Sequence, residues 1–125
     1  MIEQDKIKQF EILKERLPYN EEEFSSNSQY EKILNQLLDD AENIALSDLY
    51  PFDNWSEKEL PKKLYNWQIR ACVELSNYLG KEGLISYSEN GLSFSRKKEG
   101  LSSDLQNEIM PNVGVISPNN NLGGE

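Results

Sequence analysis

Apolar residues recur at helical spacing along most of this chain. Ile7, Phe10, Leu13 and Leu17 lie three and four apart and Pro18 follows, so the pattern predicts an amphipathic helix from about Ile2 to Leu17. The run from Tyr19 to Asn27 is polar and without period, as expected of an exposed connection. Ser28 with Glu31 three residues later reads as a capping box. Beyond it Tyr30, Ile33, Leu34, Leu37, Leu38, Ala41, Ile44, Ala45 and Leu49 form one continuous stripe, the clearest helix of the chain, stopped at Tyr50-Pro51. Phe52 and Trp55 then sit in a turn-rich stretch, which predicts a loop pinned to the core by its rings.

Pro61 suits the first turn of a further helix. On it Leu64, Trp67, Ala71, Leu75 and Tyr78 share one face, while Tyr65, Ile69, Cys72 and Leu79 share another. Two apolar faces predict the central, most buried helix, closed by Gly80 and Gly83. From Leu84 the period shortens to two, and Asn90-Gly91 is a hairpin turn signal, so a β-hairpin is expected from about Leu84 to Lys97. With Asn90 and Gly91 at its tip and Glu89 opposite Leu92, the ribbon would carry Ile85, Tyr87, Leu92 and Phe94 on one face and Ser86, Ser88, Ser93 and Ser95 on the other. A lone two-stranded ribbon is marginal in water, so its apolar face is expected to pack on the bundle or on another copy of the protein. Ser103 and Gln106 predict a short last helix to about Met110, ended by Pro111. The expected class is mainly α: a small bundle of three to four helices over residues 1–110 with one β-hairpin, then a flexible tail over 111–125.

Composition narrows the function. Length allows one domain, and the 37% hydrophobic content suffices for a helical core. No apolar run approaches the roughly 20 residues that cross a bilayer, and Met1-Ile2-Glu3-Gln4-Asp5 does not read as a signal peptide, so a cytoplasmic life is expected, with no membrane partner. Of the net charge of −9, residues 1–60 hold the whole excess, with 15 acidic and 6 basic side chains against 7 and 7 in the remainder. Such a surface repels phosphate, which argues against gripping DNA.

Every catalytic constellation lacks a part. There is no histidine, hence no Ser-His-Asp or Cys-His pair and none of the usual zinc sets; Gly83 and Gly91 belong to no phosphate-cradling motif. Asp39 and Glu42 are three apart on a polar helix face, where carboxylates are ordinarily just solvated. Cys72, the sole cysteine, lies among apolar neighbours as a core thiol does. Arg96-Lys97-Lys98 reads as a guard on an edge strand. The expectation is no enzyme, no cofactor and no metal.

Three segments carry a resemblance: Tyr65 to Leu75 as a central helix, Gly80 to Gly91 as helix end and hairpin, and Ile109 to Val115 as the close. In that order they resemble the head-to-tail connector proteins of long-tailed phages, also called adaptor or head-completion proteins, over about Leu64 to Val115. The first 60 residues match only in being helical with an acidic linker. The resemblance implies a structural virion protein, made in the host bacterial cytoplasm, that joins a ring of about twelve copies beneath the portal. There it would extend the DNA channel and offer a platform to the next connector, stopper or tail protein. It also implies that Pro111, Asn112, Val113, Gly114, Val115 and Ile116 dock into the portal, in the manner of a strand added to a sheet edge. Tyr87, Glu89, Asn90, Gly91, Leu92 and Phe94 become the expected hairpin contact between subunits. Asp39, Asp40 and Glu42 become candidate linings of a channel through which DNA slides without specific binding.

Two rival readings belong to other classes. Three helices and a hairpin are also the order of a winged-helix regulator, but the helix before the hairpin carries only Lys62, Lys63, Arg70 and Lys81 as cations. The other rival is an acidic DNA mimic or anti-repressor that blocks a host protein.

Overall fold

The computed structural model describes residues 2–20, 24, 26–90 and 99–109. Along them run α1 (Glu3–Arg16), α2 (Asn27–Leu49), 3-10 turns at Trp55–Glu57 and Lys62–Leu64, α3 (Tyr65–Asn90) and α4 (Ser103–Asn107). The fold is mainly α, and among the described residues there is no strand.

The widest apolar stripe makes the spine of the core. Every residue of the α2 stripe named above is buried, Leu46 with them. Buried Leu and Ile side chains each contribute roughly 1.5–3 kcal/mol over exposure to water. The helix starts two residues earlier than the Ser28 capping box implied. Ser26 is the cap, its hydroxyl oxygen accepting from the Gln29 N–H at 3.1 Å, because Ser26-x-x-Gln29 offers the same chemistry as Ser28-x-x-Glu31. At the other end the Tyr50 N–H bonds the Leu46 carbonyl at 2.9 Å and Pro51 stops the ladder.

Against α2 lies α3, which buries Trp67, Gln68, Ile69, Ala71, Cys72 and Leu75. Its two apolar faces are as expected through Leu75; Tyr78, at 44% exposure, faces out. α1 packs on both partners through Gln9 and Leu13. The contacts fix the senses of the helices. Asp5 meets Tyr65 and Gln9 meets Gln68, so α1 and α3 run alike, whereas Lys14 meets Glu31 and α2 therefore runs against α1.

A polar bridge locks the three together. Gln9 Nε2 donates to the Tyr65 carbonyl and to Gln68 Oε1, each at 2.8 Å, and Gln68 Nε2 donates to the Leu38 carbonyl at 2.8 Å. Both glutamines are buried, so losing either partner leaves a desolvated group unpaired.

The expected hairpin requires correction. Residues 84–90, including Tyr87, Glu89 and Asn90, have helical backbone as the last turns of α3; Gly91, Leu92 and Phe94 lie outside the described residues, as do 95–97. The helix is broken only at Gly80 (φ 69°, ψ −175°), a conformation that costs a residue with a Cβ and not glycine, and it resumes through Gly83. A period of two over Leu84 to Ser88 was too short to exclude a helix, and Asn-Gly is as good a helix end as a hairpin turn. Continuing the helix also pairs each backbone group locally, which a two-stranded ribbon without a sheet does not.

Two loops carry more of the core than their composition suggested. Phe24 is buried in the polar connection between α1 and α2, against Tyr30 (ring centroids 4.8 Å) and Tyr19 (6.2 Å). In the loop after α2, Trp55 packs on the core as expected, but Phe52 is 87% exposed.

Candidate functional site

Three surfaces bear on function: the C-terminal strap, the acidic side of the bundle, and the outer face of α1. The strap is the segment from Glu99 to Ile109, which runs back along α3. Its polar anchors lie on one side of that helix. Trp67 Nε1 donates to the Leu105 carbonyl at 2.7 Å; Arg70 Nη1 and Nη2 donate to the two oxygens of Glu108, both at 2.6 Å; and Glu74 accepts from the Ser102 N–H at 2.7 Å and from its hydroxyl at 3.2 Å. Residues 67, 70 and 74 fall at helical spacing, so one stripe of α3 grips both ends of α4. Ser102 also caps α4 through the Leu105 N–H at 3.2 Å, one residue ahead of the expected Ser103.

Leu101, Leu105 and Ile109 supply the apolar side of the strap and are buried. Gly100 passes so near α3 that a Cβ there would lie 2.9 Å from Leu75 Cδ1 and from Tyr78 Cδ2. The Arg70 pair holds the Glu108 carboxyl below the usual carboxylate range, first through its hydrogen bonds and then through its charge, with partial desolvation opposing. The chain is therefore held fast to Ile109, two residues before Pro111. The tail residues Pro111, Asn112, Val113, Gly114, Val115 and Ile116 lie outside the described residues.

The candidate channel acids do not form a single row. Asp39 is exposed, and Asp40 and Glu42 are half-buried. Asp40 and Asp39 sit close enough to α3 for their charges to push the Cys72 thiol up, although complete burial is the larger cause; the thiol stays protonated. Glu42 belongs to a different group. Tyr65 donates its hydroxyl to Asp5 Oδ2 at 2.9 Å, and Glu59 and Glu42 add negative charge nearby. Desolvation first, then that hydrogen bond and those carboxylates, raise Tyr65 from 10.0 to about 12. Three elements thus bring Asp5, Glu42 and Glu59 toward one phenol, a grouping that the sequence did not reveal because Asp5 and Glu59 are 54 residues apart in it. Among the described residues no three potential metal ligands gather.

On α1 the sequence misjudged the buried side. Gln9 and Leu13 face the core, Phe10 and Leu17 are half-buried, and Ile7 is 53% exposed. Beside Ile7 an open cleft of about 200 Å³ lies between α1 and α2, lined by Glu3, Lys6, Ile7, Phe10 and Asn35. Lys14 Nζ stands 5.3 Å from the centre of the Phe10 ring at the next turn. Within the described residues no helix is long and apolar enough to cross a membrane. No family model, curated protein or solved structure matches this chain.

Proposed function

We propose that this protein is a head-to-tail connector of a long-tailed phage, acting by assembly and not by catalysis. In this reading copies join as a ring of about twelve under the portal protein, extend the DNA channel, and present a platform to the next connector, stopper or tail protein. The virion neck is its final place. The tail from Pro111 to Ile116 enters the portal, and Asp39, Asp40 and Glu42, although split between two groups, add to the acidic surface past which DNA slides without binding.

The observation that carries the proposal is the strap. An exposed helix of five residues has little stability of its own, yet its two ends and its Leu105 carbonyl are tied to α3 by Trp67, Arg70 and Glu74. Such anchoring fixes the point from which the tail departs. A docking tail gains from a fixed root, because less chain freedom is lost on binding. The resemblance of Ile109 to Val115 to the connector close falls on the same junction. The acidic excess supports the reading as well, since it disfavours phosphate contacts.

The winged-helix reading is weakened by the helical backbone through Asn90, which occupies the first strand of the expected wing. The test is co-sedimentation with the portal protein of the same phage, comparing the full chain with one truncated after Met110. Joining by the full chain alone supports both the connector role and the tail. Failure of both to join removes the proposal and favours a regulator or an inhibitor of a host protein.

A further inference from the structure

We infer that Gly80 is a hinge: the bent form of α3 exchanges with one unbroken helix, and residues 81–90 change direction while the three-helix core and the strap stay in place. The backbone on both sides of Gly80 is helical, so a single residue carries the whole break. Its φ of 69° and ψ of −175° are open to glycine and costly to a residue with a Cβ. Sharp kinks otherwise trace to proline, to a π-bulge or to a group wedged into the helical ladder. The segment from Tyr65 to Asn90 contains no proline.

Nothing wedges the break open. Gly80 is exposed, and a Cβ built on it would meet no atom within 4 Å. Turning this one residue to ordinary helical angles joins the two segments into a single straight helix of 26 residues. It also returns the intrahelical partners that backbone groups at a helix end lack. Against that gain stands glycine's poor helix propensity, a cost that Gly80 avoids in the bent form. Small opposing terms of this kind leave both forms accessible, as a two-state hinge requires.

Neither form disturbs the rest of the fold. Leu75 is the last buried residue described on α3, five positions before the hinge. The strap is pinned ahead of the hinge as well: Gly100 lies against Leu75 and Tyr78, and the Tyr78 hydroxyl donates to Glu99 at 3.4 Å. Its further anchors, Trp67, Arg70 and Glu74, also precede Gly80. The return chain is long enough for both forms. In an unbroken helix Asn90 lies about 18 Å beyond Tyr78, whereas the peptide steps from Asn90 to Glu99 can span about 30 Å. The subunit thereby owns one element that can point differently in an assembly and in the free chain.

Pulsed dipolar electron paramagnetic resonance on the isolated full chain tests the hinge. Spin labels on Asn66→Cys and Glu89→Cys report on the two segments of α3, and Cys72 is buried and takes no label. A continuous helix sets positions 66 and 89 about 35 Å apart along its axis. With Gly80 in place the expected result is two distances, one of them near that value. Gly80→Ala, whose Cβ has room but disfavours the bent backbone, should leave only the long one. Gly83→Ala raises helix propensity without touching the hinge and should keep both. A single distance in the chain that retains Gly80 overturns the inference whatever Gly80→Ala does, as does a pair of distances that Gly80→Ala leaves unchanged. The measurement needs no portal, so its outcome is separate from that of the connector test.

Discussion

α1 and the strap both lie on α3, and they are attached in opposite ways. α1 has 14 residues and commits only Gln9 and Leu13 fully to the interior, leaving Ile7 and Ile12 toward solvent. The helix of the strap has five residues, yet its segment buries Leu101, Leu105 and Ile109 and is tied by three side chains of α3. Length of helix is therefore no measure of attachment here. The short element is keyed to its place, whereas the long one leaves apolar side chains toward solvent; under the proposed assembly role the first would be a fixed root for one contact and the second an open face for another.

The largest effects should come from the apolar residues that hold each element. Leu13→Ala is expected to cost about 3 kcal/mol in denaturant unfolding, and Leu105→Ala a similar amount despite the brevity of its helix. A much smaller loss at Leu105 would break the comparison. Next is the polar bridge. Gln9→Ala strands the side-chain carbonyl of Gln68 and should cost about 1–3 kcal/mol, most of it recovered when Gln68→Met is added. Trp67→Phe keeps a ring in the core but deprives the Leu105 carbonyl of its donor, for about 1 kcal/mol. Amide exchange should then rise in α4 before it rises in α1.

The pH effects are smaller and differ in sign. Glu108 has its folded-state pKa lowered, so its contribution is present above the ordinary carboxylate range and is lost as pH falls through the depressed value. Strap amides should open in acid, and Arg70→Gln should abolish that dependence. Tyr65 is raised from 10.0 to about 12, so its contribution is full below pH 10 and fades as pH climbs through that window. Its phenolate absorbance should appear near pH 12, and at a lower pH in Asp5→Asn.

Where the helical period ran long, sequence and structure coincide. The α2 stripe and the stretch from Leu64 to Leu79 were legible because sixteen or more residues of repeated spacing leave little room for another reading. The short stretches were not. Leu84 to Ser88 suited either period, and tertiary surroundings, not local pattern, decide such cases. On α1 the sequence placed Ile7 in the apolar stripe, but the buried position went to Gln9, whose amide satisfies two partners on α3. Gln9 gave no sequence signal because its burial depends on Gln68, more than fifty residues away. The strap was half visible: a short capped helix was expected there, with Ser103 in place of Ser102 as its cap, whereas the stripe of Trp67, Arg70 and Glu74 that grips it was hidden among ordinary helix residues.

The most direct test of the central claim is the mass of the complex formed by the portal protein with the full chain, measured intact. A gain equal to one ring of about twelve copies, lost on truncation after Met110, is the expected result. A portal whose mass is unchanged at saturating concentration of this protein would contradict the account.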